Sequence, residues 1–470
     1  MTLTVYIAMF GWPIVSIALF LRLSPRRAVL ASILAGWLLL PQAAFSFSGL
    51  PEYTRFTAVH LGTLIGVAMF DGQAFARFRP RWFDLPMAIW CICPFASSIT
   101  NGLGVYDGLS AVFTQVMVYA IPYFFGRVYC QSREGMRDLA LAIFIGGVCY
   151  LPLIVWELRM SPQLHRYLYG YMQIPFHMIW RLGWYRPLVF MSHGLELGIF
   201  MAGAALSGLW LWRSGSVRRV WSIPIAWPAL ATLGVALACR ALNGYGMLLI
   251  CGVGLWSLKV LKTRGVVLAL VLLPILYIGG RVLVDWRGEV LINQVASFNE
   301  KRAASMNSRI AHEVTLIDRA LERPVFGWGG WNRNRATGDL AEGAMGKRSI
   351  TDSFWIIAFG QKGLVGLTSV GLVLLGPVLL LLRGLEAREW ASPQHGMAAV
   401  LAAVLLGFTY DRLFNGMLNP IYFTIAGGLM AYAATSGLSV ATSRRTVLVT
   451  REPSQAVSTV PESGVQPTQA

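Results

Sequence analysis

Three arginines lie on what the sequence predicts to be one side of a membrane. Arg186 directly precedes an apolar block, Arg240 occupies a very short turn between two blocks, and Arg309 lies in a long polar segment. A single arginine there usually extends its charged end to the membrane surface. Three of them together favour a shared anion, because the planar guanidinium fork binds phosphate oxygens in pairs. A pyrophosphate group carried on a lipid is therefore a natural ligand.

Asp352 is the only carboxylate between this polar segment and the apolar block that follows it. One interpretation is a helix N-cap, since an aspartate at a helix start accepts the free N–H groups and complements the helix dipole. The other is a general base at the membrane surface. The sequence leaves both open.

His193 and Glu196 lie on one turn at the start of the block near Leu188. The rise per residue predicts that Glu196 lies about 12 Å into that helix. A carboxylate at such a depth needs a partner or a proton. An interhelical hydrogen bond or pairing with an arginine satisfies this need, and support of a reaction is the alternative.

The long polar segment contains a predicted helix over Ser305–Leu321, which Pro324 stops. Arg309, His312 and Glu313 share one face of it. The neighbouring face carries an apolar stripe that predicts packing onto the membrane domain. The stripe consists of Ile310, Val314, Ile317 and Leu321.

Three glycines and two tryptophans follow this helix within residues 324–332. The glycines permit tight turns and expose backbone N–H groups, and Trp328 and Trp331 offer faces that stack on a sugar ring. The pattern fits a structural turn as well as a ligand cradle.

The elements that position these residues are membrane helices. Of 470 residues, 56% are hydrophobic and 13% charged, against roughly a quarter charged in soluble domains. The apolar residues form blocks of about 17 to 25, the length of a helix that crosses a bilayer. The net charge of +17 is assigned mainly to helix orientation among anionic lipids, not to nucleic acid. The six cysteines lack metal-site spacing, so no metal or cofactor is expected.

The chain is thus predicted to be an all-α polytopic integral membrane protein with about thirteen transmembrane helices and a large outer loop before the eleventh. The candidate spans start near Leu3, Ala28, Phe56, Leu85, Leu109, Leu139, Leu188, Trp221, Leu242, Gly265, Ser353, Met397 and Met417. Arg and Lys are concentrated in alternate loops, which predicts an outer N-terminus and a cytoplasmic C-terminus.

Composition divides the chain into six segments. They are N-terminal transmembrane helices (1–157), an outer loop (158–187), transmembrane helices (188–284), the large outer loop (285–351), C-terminal transmembrane helices (352–438) and a disordered cytoplasmic tail (439–470). Long loops are exempt from the charge rule, so the basic residues of the two outer loops are expected to serve function.

The order of these motifs resembles that of the bacterial O-antigen ligases and Wzy-type polysaccharide polymerases. These enzymes transfer glycans carried on undecaprenyl pyrophosphate at the periplasmic face of the inner membrane. The resemblance covers roughly Arg186 to Leu382. Its motifs are Arg309 followed by Glu322–Trp331, then Thr351–Trp355 and Gly360–Gly366, with Arg240 and Arg186–Pro187 matching less specifically.

The resemblance implies a metal-independent glycosyltransferase of the bacterial inner membrane. Arg186, Arg240 and Arg309 would bind the pyrophosphate, and Asp352 would act on the acceptor hydroxyl. The family's ligases typically carry a histidine in the closing segment, where this chain has Thr351 or Asp352. An acidic residue there is common in polymerases, so polymerase is favoured over ligase.

Two other classes of function remain open. A transporter or flippase of lipid-linked sugars would also have many spans and basic loops, although transporters usually pair charges near the midplane of two repeated halves. A structural scaffold would tolerate the loss of the outer arginines. The expected partners are the lipid-linked oligosaccharide, membrane lipids and other polysaccharide-assembly proteins.

Overall fold

The chain folds into helices joined by turns, as its apolar blocks predict. The computed structural model describes residues 2–181, 183–284, 286, 293–294, 296–297, 300–335, 353–390 and 392–449, and for residues 181, 301–306, 308, 309 and 436–449 it describes the backbone alone.

The helices are numbered along the chain. They are α1 (Leu3–Arg22), α2 (Pro25–Leu39), α3 (Arg55–Phe70), α4 (Gln73–Arg77), α5 (Leu85–Thr100), α6 (Val105–Gln115), α7 (Ile121–Tyr129), α8 (Arg133–Met160), α9 (Leu164–Tyr169), α10 (Gly194–Arg213), α11 (Ala226–Ala238), α12 (Leu242–Trp256), α13 (Gly265–Leu283), α14 (Glu300–Leu321), α15 (Phe354–Gly384), α16 (Ala387–Trp390), α17 (Gly396–Asp411) and α18 (Pro420–Val449).

Short irregular helices and three small hairpins complete the described structure. Trp82–Asp84 and Phe176–Met178 are 3-10 turns, and Val116–Ala120 and Ser257–Leu261 are π-helical. The antiparallel pairs are β1 (Ala44–Phe45) with β2 (Tyr53–Thr54), β3 (Trp180–Arg181) with β4 (Trp184–Tyr185), and β5 (Arg219–Val220) with β6 (Ile223–Pro224).

Eight helical segments among the described residues are long and apolar enough to cross a membrane. They are Leu3–Arg22, Trp82–Thr100, Val105–Tyr129, Arg133–Met160, Gly194–Arg213, Leu242–Leu261, Gly265–Leu283 and Phe354–Gly384. A helix also lies near each of the remaining predicted spans, but these are shorter or less apolar, or incompletely described. A mostly helical chain with bilayer-length apolar helices is thereby confirmed. The thirteen crossings and their orientation stay predictions.

Helix α10 packs against α8, α11, α12 and α17 and is the most buried of these spans. Small residues make this possible, because they let helix backbones approach closely. A Cβ added at Gly198 would come within 2.2 Å of the Ala241 Cβ, and one at Gly147 within 2.5 Å of the Ala204 Cβ. The first turn of α10 is therefore held firmly at the centre of the bundle.

The helix predicted in the long polar segment is confirmed, and α14 begins earlier, at Glu300. Its buried face differs from the predicted stripe, because Leu321 is exposed while Glu313 is buried. The helix therefore presents a carboxylate, together with Leu316, Ile317 and Ala320, to the membrane domain.

Helix α18 continues to Val449 and includes residues 439–449, which the sequence had assigned to a disordered tail. Residues 450–470 lie outside the described part of the chain.

Candidate functional site

Arg186 and Arg240, two of the three predicted arginines, are in contact. Arg186 is mostly buried, and its Nη2 donates a hydrogen bond of 3.3 Å to the carbonyl oxygen of Arg240. Its aliphatic stem crosses Gly194, where an added Cβ would come within 2.3 Å of the Arg186 Cδ. The guanidinium carbon of Arg240 lies 5.7 Å from the centre of the Trp184 ring. Both arginines are thus held beside the start of α10.

Glu157 organises the chain that leads to Arg186. Its buried carboxylate accepts hydrogen bonds from the backbone N–H groups of Leu164 (3.2 Å), Leu188 (2.8 Å) and Val189 (2.8 Å). Val189 has a φ of 54°, a costly conformation for a β-branched residue. The carboxylate offsets this cost and holds the segment after Pro187 against the end of α8. Sequence reasoning treated Glu157 only as the border of a loop.

His165 is buried in the same outer segment in its neutral form. Its Nδ1 lies 2.9 Å from the Tyr171 carbonyl oxygen, and Gln42 donates its backbone N–H to Nε2 at 3.4 Å. Burial lowers the pKa of His165, and the nearby charge of Arg55 lowers it further, while the Tyr171 hydrogen bond opposes both. A proton on Nε2 would also break the bond from Gln42.

We expect folding stability to fall as the pH drops from neutral to about 5, because the folded state disfavours the proton that the unfolded chain binds with an ordinary pKa. Thermal unfolding of the detergent-purified protein checks this dependence, which His165→Gln should flatten. His177→Gln, at an exposed position of the same segment, is the matched control. An H165Q protein whose pH dependence equals that of the wild type would contradict the assignment.

Glu196 pairs with an arginine, the structural alternative given above. Its carboxylate lies 3.1 Å from Arg55 Nη2 and 3.1 Å from the Trp37 indole nitrogen, and it accepts the Ser192 backbone N–H at 2.8 Å. The predicted depth of about 12 Å is wrong, because α10 begins at Gly194 and Glu196 lies in its first turn.

His193 is the N-cap of α10. Its Nδ1 accepts the backbone N–H of Leu195 at 3.1 Å, which also fixes which ring nitrogen carries a proton when the imidazole is neutral. His193 and Glu196 therefore shape the helix start that Arg186 crosses.

A second group of polar side chains connects α12 to the end of α17. Asn243 donates to the Asp411 carboxylate at 2.9 Å and to the Leu195 carbonyl at 2.9 Å. Asp411 also pairs with Arg412 and accepts a 2.6 Å hydrogen bond from Asn415. Sequence reasoning read Arg412 only as a loop charge and gave no role to Asp411.

This group reaches the start of α15. The Phe354 backbone N–H donates to the Arg412 carbonyl at 3.1 Å. Next to it, the Ser353 hydroxyl donates to the Glu313 carboxylate at 3.0 Å. Contacts from Arg186 to Glu313 thus link the ends of α10, α12, α15 and α17 with α14.

Glu313 is a buried carboxylate on α14. Besides Ser353, it contacts Arg281 Nη2 at 3.3 Å and accepts the Tyr277 hydroxyl at 3.0 Å. Burial raises the pKa of Glu313, and these three partners partly offset that rise. The Arg281 guanidinium also donates to the Ile310 carbonyl at 3.2 Å, so it fastens α13 to α14.

Three predicted site residues lie next to Ser353 or within one helical turn of Glu313 in the sequence. Asp352 lies outside the described residues, immediately before Ser353. The backbone of Arg309 belongs to α14, one turn before Glu313, and its side chain is outside the description. His312 is partly exposed on α14.

The glycine-rich turn after α14 inserts into a break in α15. The break lies at Gly363, whose φ of 63° and ψ of −165° interrupt the helix. Four backbone hydrogen bonds join turn and break: Trp328 N to Gly360 O (2.9 Å), Gly329 N to Gln361 O (3.0 Å), Leu364 N to Pro324 O (2.7 Å) and Val365 N to Val325 O (3.3 Å). The backbone groups of the turn thus bond to α15, so the turn is a structural element.

The two tryptophans of the turn differ in what they can contact. The Trp328 ring centre lies 3.4 Å from the guanidinium carbon of Arg319 and 4.9 Å from that of Arg323. Trp331 is 78% exposed, and its indole N–H donates to Asp107 at 2.6 Å. Of the two, Trp331 is the one with a ring face open to a sugar.

Gly363→Ala should destabilise the protein by about 1–3 kcal/mol or more, since this backbone region is nearly restricted to glycine. The new Cβ would also lie 2.2 Å from the Val325 carbonyl oxygen. Thermal unfolding measures the effect. Gly371→Ala is the matched control in the same helix, where a Cβ meets nothing within 4 Å. Equal melting temperatures for the two variants would contradict the docking of the turn.

The comparisons with known proteins add no relative. No protein-family model matches this chain. A search of the curated proteins likewise finds no match. The side chains of the site are therefore the basis for its chemistry.

The site concentrates cations at the ends of helices. Arg186 contacts Arg240, Asn243 three residues later contacts Asp411, which pairs with Arg412, and Arg281 pairs with Glu313. The carboxylates of Glu157 and Glu196 lie beside the same start of α10. Guanidinium groups in buried positions favour a multiply charged anion. The arrangement can bind a phosphate-bearing group and stabilise negative charge that develops on it.

Proposed function

We propose that this protein is a membrane glycosyltransferase that polymerises glycan units carried on undecaprenyl pyrophosphate. The observation that supports the proposal is a set of contacts between residues far apart in sequence. Arg186 contacts Arg240, Asn243 three residues later contacts Asp411, and Arg412 beside it accepts the Phe354 N–H at the start of α15. Guanidinium groups held together in this way suit a lipid pyrophosphate.

In the proposed reaction, Arg186, Arg240 and Arg309 bind the pyrophosphate of the donor. The acceptor hydroxyl oxygen forms a bond to the anomeric carbon while the bond from that carbon to the pyrophosphate oxygen breaks. The electron pair leaves with the lipid pyrophosphate, where the guanidinium groups stabilise the charge. The hydroxyl proton passes to Asp352. Trp331 and the other outer-loop aromatic groups would contact the glycan.

The proposal places the protein in the bacterial inner membrane, with its N-terminus in the periplasm and its C-terminus in the cytoplasm. Its partners would be the lipid-linked oligosaccharide, membrane lipids and other polysaccharide-assembly proteins. A polymerase is proposed rather than a ligase because an acidic residue, not a histidine, precedes Ser353.

The test is the cell-envelope polysaccharide of a deletion strain, separated on a gel. Loss of long chains with single units still attached supports a polymerase. Accumulation of free lipid-linked chains would make it a ligase. Purified protein in liposomes then distinguishes the remaining alternative, because a flippase would move the lipid-linked glycan without joining sugars.

A further inference from the structure

Within the described part of the chain, Lys362 is a cation of a long apolar helix that has no carboxylate partner. It immediately precedes the Gly363 break, and its aliphatic stem lies against Gly366, where an added Cβ would come within 2.3 Å of the Lys362 Cβ. Its side chain is partly exposed, and among the described residues its ammonium makes neither a hydrogen bond nor an ion pair. Four buried arginines of the described chain do pair with carboxylates, namely Arg55, Arg127, Arg281 and Arg412.

The ammonium of Lys362 lies 4.5 Å from the centre of the Trp90 ring. Such a cation–π contact stabilises the ammonium only modestly. A lysine in an apolar membrane helix is costly unless it meets a partner. An anion is the group that would offset the remaining cost.

Trp90 supplies a second donor at the same place. Its side chain is fully buried, and its indole N–H has no acceptor within the described structure. Its ring lies 6.0 Å from the Phe354 ring, centre to centre. Trp90 thus places the two donors along the first part of α15.

We propose that Lys362 and the Trp90 indole N–H bind a phosphate group of a membrane lipid. The proposal rests on the proposed function only for the identity of that lipid, a polyprenyl phosphate or pyrophosphate. Lys362 would hold the charged end of the carrier where the turn meets the broken helix, apart from the cluster formed by Arg186 and Arg240.

The experiment measures binding of undecaprenyl phosphate to the full-length protein in detergent micelles. Lys362→Met should weaken binding about tenfold to a hundredfold, the range of a hydrogen-bonded charge. Lys362→Arg should retain most of the affinity. Trp90→Phe, which keeps a ring but removes the N–H, should weaken binding about threefold to tenfold. Lys259→Met, at an exposed lysine of the π-helical segment Ser257–Leu261, is the matched control.

Competition identifies the source of the phosphate. Displacement by excess phosphatidylglycerol that depends on Lys362 would assign the site to phospholipids, and displacement by inorganic pyrophosphate would assign it to a water-soluble anion. Both outcomes retain the anion site. Wild-type affinity in both the K362M and W90F proteins overturns it.

Thermal unfolding of each variant separates loss of binding from loss of fold, and K362Q and W90F serve if K362M does not fold. The result is also independent of the proposed reaction. Lipid binding that depends on Lys362 in a protein that joins no sugars would leave this site intact and end the glycosyltransferase assignment. If the K362M protein extends chains and binds lipid as the wild type does, the glycosyltransferase assignment stands and the Lys362 site is ruled out.

Discussion

Asp352→Asn should reduce chain extension about 10²–10⁴-fold, the usual contribution of a general base. An amide cannot take the proton of the acceptor hydroxyl. The N-cap of α15 is Ser353, so the cap interpretation of Asp352 is wrong, and the change should leave the helix start in place. The measurement is transfer from a lipid-linked donor by purified protein in liposomes.

Glu300→Gln is the matched control for this change. It removes one carboxylate from the same outer region at an exposed position, at the start of α14. Transfer should remain at the wild-type rate. An Asp352→Asn protein that is equally active and equally stable would show that Asp352 is not the base.

Arg186→Gln should reduce transfer about 10²–10³-fold, the loss typical of one group that stabilises transition-state charge. Arg186→Lys should recover only part of it, because lysine keeps the charge but lacks the planar fork. The rate of transfer and the affinity for the lipid-linked donor should be measured together. Arg186 also donates to the Arg240 carbonyl, so melting temperatures are needed to separate folding from binding.

Arg166→Gln serves as the control for Arg186, since Arg166 is an exposed arginine of the same outer segment. If both variants lose the same activity, the loss reflects general surface charge and not binding of pyrophosphate at a defined site. If neither does, the arginine cluster is structural, and the proposed function loses its main support.

The helices could be predicted from the sequence because the length and hydrophobicity of each apolar block indicate whether it can cross a membrane. The block near Leu188 shows the limit of this reasoning. Hydropathy marks where apolar residues begin, but Glu157 holds Leu188 and Val189 in an irregular segment, and α10 begins only at Gly194. A carboxylate about thirty residues earlier in the chain thus holds this segment outside the helix, and no pattern in the local sequence reveals that contact.

The site was predictable only in part for the same reason. Arg186 and Arg240 could be singled out because charge beside apolar blocks is visible in the sequence. The partner of Glu196 could not, since Arg55 lies 141 residues away. Asp411 had no distinguishing pattern of its own, although Asn243 and Arg412 both contact it.

The Arg55–Glu196 ion pair has a consequence for dissecting this protein. With Trp37 beside it, it ties α2 and α3 to the helix that Arg186 crosses, and Gln42 is fastened to His165 in the same region. The first third of the chain therefore supports the start of α10 from the side. A fragment that starts after residue 157 would leave Glu196 as a buried charge without its counter-ion, so catalysis should not be recoverable from the C-terminal part alone.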